Sequence, residues 1–128
     1  MNRELAVHKA AAALVEAFAS NSTERYFDCF TPDATFIFHT VPQPLLSRQA
    51  YQDLWQTWQA EGFIVLACVS SNAKVSLQGD VAIFIHDVAT HIRVGGEALQ
   101  LQERETIVFT LHDERWLACH EHLSAISA

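Results

Sequence analysis

The sequence predicts an α+β domain in which helices come first and pack on one face of a curved antiparallel sheet. Two observations carry this. Helical periodicity is confined to the stretch before Gly62, and everything after Gly62 is β-rich. Turn signals at Gly79-Asp80, at Gly95-Gly96 and in "HDER" then divide the later part into long consecutive strands. Helices segregated to one face of a sheet form a stable layered arrangement because each apolar face is covered. The chain has 128 residues, half of them hydrophobic. That suits one domain over 1–128, with no repeat or linker and a core that needs neither disulfide nor metal.

The elements follow in chain order. Residues 3–19 form a helix, with Val7, Ala11, Leu14 and Phe18 on one stripe and many alanines. "SNST" ends it, and Ser22 or Asn21 caps a short second helix, "TERYFDCF", whose apolar side is Tyr26, Phe27 and Phe30. "TPD" closes that helix, and "ATFIFH" is a strand rich in β-branched and aromatic residues. "TVPQPLLS" is a loop. Ser47 caps a third helix, 48–60, with the stripe Tyr51, Leu54, Trp55 and Trp58, and Gly62 ends it. Core packing is the plain reading of that stripe; the functional one is that a tryptophan walls a pocket. "FIVLACVS" and "AKVSLQ" make one long bent strand, followed by "VAIFIHDVATHIRV", "ALQLQERETIVFTL" and "WLACHEHLSAI" in an antiparallel meander.

Strand side chains alternate between faces. Ile107, Phe109 and Leu111 share one face, and Thr106, Val108 and Thr110 the other. In the last strand Leu117, Cys119, Glu121 and Leu123 alternate with Trp116, Ala118, His120, His122 and Ser124. A hairpin loop of odd length centred near residue 114 pairs Leu111 with Leu117, Phe109 with Cys119 and Ile107 with Glu121. That matches apolar with apolar and is preferred. A two-residue loop at Asp113-Glu114 shifts the register by one. On the preferred register Glu121 lies on the helix-covered face, near Glu105, and Trp116, His120 and His122 face outward. Phe84, His86, Val88 and Thr90 alternate with Ile83, Ile85, Asp87, Ala89 and His91, and both sets are half apolar. A strand apolar on both faces is covered on both. The expected second cover is another copy of the chain, meeting it through Val108, Trp116, His120 and His122.

A net charge of −7 argues against nucleic acid as a partner. No apolar run approaches the ~20 residues of a membrane helix, and "MNRELAVHKAAAALVEAF" lacks the pattern of a secretory leader. A cytoplasmic protein is expected. Cys29, Cys68 and Cys119 are odd in number and form no CxxC pair, so reduced core thiols are expected; Cys119, beside the histidines, is the alternative as a reactive thiol.

The series "FDCFTPDATFIFH", the third helix and the ending "RETIVFTLHDERWLACHEHLS" resemble the nuclear-transport-factor-2-like superfamily, and within it the SnoaL-like and ketosteroid-isomerase-like proteins. Trp116 followed by His120, His122 and Ser124 also resembles the last strand of the calcium/calmodulin-dependent kinase II association domain. The resemblance covers nearly the whole chain and implies a cone: a strongly bent sheet wrapped around the N-terminal helices, with a pocket at its open end. It implies homodimers that meet through the outer sheet face. It does not carry over the steroid-isomerase residues. The general base falls at Phe38, the oxyanion tyrosine at Leu14 and the second oxyanion acid near Thr106. The arginines of the kinase domain's pocket fall near Val88, Ile107 and Leu123, so that anion site is not implied either.

On the concave face the residues offer His86, Glu105 and Glu121 as an acid–base set, in a pocket lined by Phe38, His39, Trp55, Val88, Ile107 and Leu123. Such a set can move a proton on a small apolar substrate without a cofactor, as a lyase or isomerase. The other reading of the same residues is an accessory domain that only dimerises; the sequence leaves open whether the protein is an enzyme. Arg104 among its glutamates reads as a cross-strand ion-pair partner. His120 and His122, with His91 or Asp87, share a strand face, but no third metal ligand is fixed by spacing and no metal site is assigned.

Overall fold

The computed structural model describes residues 2–126; positions 1, 127 and 128 of the expected domain lie outside the described residues. The elements run α1 (Arg3–Ala19), α2 (Thr23–Phe27), β1 (Phe30–Phe38), α3 (Arg48–Ala60), β2 (Ile64–Gln78), β3 (Val81–Val94), β4 (Glu97–His112) and β5 (Arg115–Ala125). The fold is α+β, as the patterning requires. The caps work as expected for α3, where Ser47 Oγ accepts from the Ala50 amide at 3.0 Å. Asn2 does the same for α1 through the Leu5 amide. Asn21 does not cap α2. At φ 60° it turns the chain and makes two 2.8 Å bonds to the backbone of Val65, tying the α1–α2 corner to β2.

The sheet order is β1-β5-β4-β3-β2. It is mixed rather than wholly antiparallel: β2 to β5 form the expected meander, but β1 pairs parallel with β5, Phe36 opposite Glu121 and Phe38 opposite Leu123. β1 also starts earlier than expected, because Phe30 bonds into β5 at Ala118 and draws "TPD" into the strand. The loop after β1 folds back on it, with Phe36 and Leu45 exchanging backbone bonds of 2.8 and 2.9 Å. Two-residue turns connect the meander. Gly95 and Gly96 both have positive φ, the backbone shape of the tight hairpin turn that splays strands least. Gly62, at φ 86°, packs its α-carbon against that hairpin, so a methyl group there would touch the Gly95 backbone at 3.5 Å.

The preferred hairpin register for β5 is corrected in its first half and kept in its second. The β4–β5 turn is the two-residue one, with Asp113 and Glu114 at φ 47° and 68°, so Leu111 faces Trp116 and Phe109 faces Ala118. One extra residue then enters between Ala118 and His120, and Ile107 faces Glu121. Such a bulge reverses alternation. Trp116 and Ala118 therefore point inward with Glu121 and Leu123. Trp116 is 7% exposed, part of the core and capped by the Arg3 guanidinium, 5.9 Å from its ring centroid; it does not lie on the outer face. His120 and His122 do lie on that side. His120 Nδ1 is hydrogen-bonded to Thr35 Oγ1 at 2.8 Å, and the His120 and His122 imidazoles meet edge to face.

Candidate functional site

The core between helices and sheet is not evenly filled. Beneath α2 and α3, aromatic rings pack on one another: Tyr26, Phe27, Phe30, Phe36, Tyr51 and Trp55 stand 4.6–6.4 Å apart, centroid to centroid. Beyond that plug lies a hollow of about 390 Å³. Leu14, Val15 and Phe18 of α1 and Trp58 of α3 form its helical wall; Val88, Thr90, Ile92, Leu101 and Leu123 form much of the sheet wall. The size matches a small-molecule pocket.

A polar line closes the inner end. Alternation along β4 carries Glu103 and Glu105 to the same face as Ile107, and the β5 bulge brings Glu121 beside them. Ser70 Oγ bonds His86 Nδ1 at 2.6 Å, and His86 Nε2 bonds Glu105 Oε1 at 2.7 Å. His86 has no exposed side-chain surface. Glu105 and Tyr26 are hydrogen-bonding neighbours of the Glu121 carboxyl, and Tyr26 shares a 2.8 Å hydrogen bond with Tyr51. Nearer the mouth, His39 Nε2 meets Glu103 Oε2 at 2.6 Å.

Burial first, and then the Glu105 charge, push the Glu121 carboxyl well above the ordinary glutamate range and favour its protonated form. Two neighbouring carboxyls in an apolar enclosure do not both ionise without large cost. Even so, Glu121 Oε1 is buried with no hydrogen-bond partner among the described residues. Burial also raises Glu103, against the lowering pull of His39. Both tyrosines sit well above their usual range, chiefly through burial, and stay protonated. The thiols are raised by burial as well, Cys68 to about 11, which removes the thiolate character a reactive Cys119 would need.

The structure brings His86, Glu105 and Glu121 into one cluster. Phe38, Val88 and Leu123 line the hollow with the two carboxyls. Three expected lining residues stand elsewhere, and His86 joins the cluster without lining the hollow. Trp55 is 1% exposed inside the aromatic plug, and Trp58, one position along the same stripe, takes its place at the wall. Ile107 is fully buried beside Glu121 on the neighbouring strand. His86 stands behind Glu105, and His39 stands on the far side of Glu103. Glu103, Tyr26, Tyr51 and Ser70 were not expected at the site. Glu103 was within reach, since it shares parity with Glu105 and Ile107. The tyrosines carried no signal apart from their place on apolar stripes. Arg104 pairs across the strand with Asp87, Nε to Oδ1 2.9 Å, and Asn72 and then Arg104 hold the Asp87 carboxyl below its usual range. Among the described residues no three His, Cys, Asp or Glu side chains converge as metal ligands, and no helix is long and apolar enough to cross a membrane.

The SnoaL-like domain profile matches residues 7–128. The chain belongs to the SnoaL-like domain family. This SnoaL-like protein superposes on an NTF2-like protein from Cytophaga hutchinsonii at 17% identity, with a TM-score of 0.84 over 98% of this chain and 100% of that one. It is similar to the CamKII hub homology domain of Chlamydomonas reinhardtii at 21% identity and a TM-score of 0.79, covering 99% of this chain and 100% of that one. A third similar structure comes from Streptomyces avermitilis, an NTF2-like protein provisionally assigned as a dehydratase, at 20% identity and a TM-score of 0.81 over 98% and 97% of the two chains. These likenesses show the NTF2-like fold. No curated protein matches the SnoaL-like chain.

Proposed function

We propose that this SnoaL-like protein binds a small, largely apolar molecule in the hollow and moves a proton on it without a cofactor, as a lyase or isomerase does. The observation that carries the proposal is the carboxyl pair at the closed end of the hollow. In this reading Glu121, whose carboxyl burial raises well above the ordinary range, is the acid, and Glu105, hydrogen-bonded to His86 Nε2 at 2.7 Å, is the base. One acid and one base of the same residue type thus face the same space, separated by environment alone. In this reading Glu105 takes a proton from an acidic carbon of the ligand. Glu121 delivers one to an oxygen or to a neighbouring carbon. His86, held by Ser70, orients Glu105 and steadies its charge as the proton passes. The provisional dehydratase among the similar structures is consistent with that chemistry and does not establish it.

The test is a melting-temperature screen of small apolar compounds against the wild type and Leu101→Trp, which fills the hollow near its mouth. Binders should raise the wild-type melting point and leave the variant unmoved. A ligand with an acidic hydrogen should exchange it with deuterium oxide in the presence of the wild type and not of Glu105→Gln. Equal shifts in both proteins would place binding outside the hollow.

The rival reading is a non-catalytic dimerisation domain. It is favoured by the outer sheet face, where Ile37, Ile83 and Ile85 are 38–41% exposed around half-buried Val108 and His120. We propose that a second copy covers this face whichever reading of the hollow holds, since one surface supports both. Three half-buried free thiols agree with a reducing, cytoplasmic setting.

A further inference from the structure

We infer that the ligand of this hollow is an amine: a compact apolar or aromatic body carrying one cationic nitrogen, seated among Glu103, Glu105 and Glu121. The inference rests on the pocket reading above and narrows it to a chemical class.

Every titratable side chain on the wall other than tyrosine and cysteine is acidic: Glu61, Glu103, Glu105 and Glu121 line the hollow, with no lysine, arginine or histidine among the lining residues. The two nearby histidines give their Nε2 positions to Glu103 and Glu105 from behind. The hydroxyls of Tyr26 and Tyr51 face each other, so one of the two protons is held within the pair. Cys68 and Thr90 likewise face each other at 3.8 Å. Apart from the one acid proton that the proposed reading gives Glu121, the polar surface left to a ligand at the closed end therefore consists of acceptors. One of these acceptors, Glu121 Oε1, is buried without a partner among the described residues. A buried acceptor without a donor carries a desolvation penalty that a ligand N–H removes.

Charge sorts the candidates further. An anionic ligand would add a negative charge beside the Glu103 and Glu105 carboxylates inside low-dielectric walls, which is costly. A neutral alcohol supplies a donor without charge assistance. A protonated amine supplies three donors and the complementary charge, and hydrogen bonds to charged groups are about twice as strong as neutral ones. The aromatic wall adds to this, because Phe18, Tyr51, Trp58 and Phe63 present rings to the same space and cations are attracted to ring faces. The net charge of −7 on the chain draws cations toward it before contact.

The experiment compares three isosteric probes by calorimetry at pH 7 and low salt: 2-phenylethylamine, 2-phenylethanol and phenylacetate. The amine should bind about ten- to a hundredfold more tightly than the alcohol, the span expected for charge-assisted bonds, and phenylacetate should not bind. Glu103→Gln should remove most of the amine's advantage while alcohol binding persists, which shows that the variant is folded. Glu103→Asp should restore part of it. Equal affinity for amine and alcohol, or tighter binding of phenylacetate, overturns the amine class and leaves the pocket reading standing. Binding of none of the three overturns both.

Discussion

The two ends of the space under the helices are built from the same kinds of residue and do opposite things. At the α2–α3 end, Tyr26, Phe27, Phe36 and Trp55 are 0–3% exposed and each ring edge meets another ring. At the other end Phe18, Trp58 and Phe63 are only partly buried and leave about 390 Å³ unfilled. The border between them is polar: Tyr26, Tyr51, Glu121, Glu105 and His86. A solid plug fixes the position of that border, and the hollow gives it something to act on. Rigidity at one end is thus the condition for geometry at the other, since a carboxyl pair must be held closely to act on a ligand.

Substitutions can break this contrast. The largest effect belongs to the plug. Trp55→Ala removes a fully enclosed ring and its hydrogen bond to Thr23, 3.1 Å, and should cost about 3–5 kcal/mol in urea unfolding. Leu101→Ala, at the wall of the hollow, should cost less than about 1 kcal/mol, because no packed neighbour is lost on its open side. Similar costs at both sites would mean the hollow is filled in solution.

Next in size is the pH dependence set by Glu121. Its folded value is raised, so the native state holds a proton that the unfolded chain releases above the ordinary glutamate range, about 4.3. Stability from this group is therefore full below that range and falls as pH rises toward the folded value, by up to about 1.4 kcal/mol per pH unit. Glu121→Gln should flatten that fall and leave the protein more stable than wild type at neutral pH. A parallel fall in both proteins would assign the proton elsewhere.

The outer face supplies the third comparison. Val108→Glu should convert the proposed dimer to a monomer by light scattering with little loss of monomer stability, because Val108 is half-buried on the outer side. Trp116→Glu should unfold the chain instead, because Trp116 lies in the core. The smallest effect is at the β4–β5 turn. Glu114 adopts φ 68°, a backbone shape that suits glycine, so Glu114→Gly should stabilise by up to about 1 kcal/mol, or a few degrees of melting temperature.

Much of this contrast was legible in the residues, and the losses have definite causes. α3 and β3 match their expected limits to the residue, because Ser47 and Gly62 bracket one while Gly79-Asp80 and Gly95-Gly96 bracket the other. The inner rows of β3 and β4 follow from simple alternation, and they placed His86, Glu105 and Glu121 together. β5 resisted because its bulge uses no glycine; two errors, the wrong loop length and the missing extra residue, cancel at Glu121 and leave Trp116 and Ala118, with Leu117 between them, on the wrong sides. The β1–β5 pairing joins residues some 85 positions apart, which local pattern cannot reach. Periodicity gives a face and not a depth. It therefore could not separate Trp58 at the wall from Trp55 in the plug, or put His86 behind Glu105.

The most direct test of the central claim is a pH titration of the glutamate side-chain carbons by NMR, in wild type and Glu121→Gln. The account predicts one carboxyl that stays protonated through neutral pH and is missing from the variant. If every glutamate of the wild type titrates within about one unit of 4.3, no neutral acid stands at the closed end of the hollow, and the proposed acid–base pair does not exist.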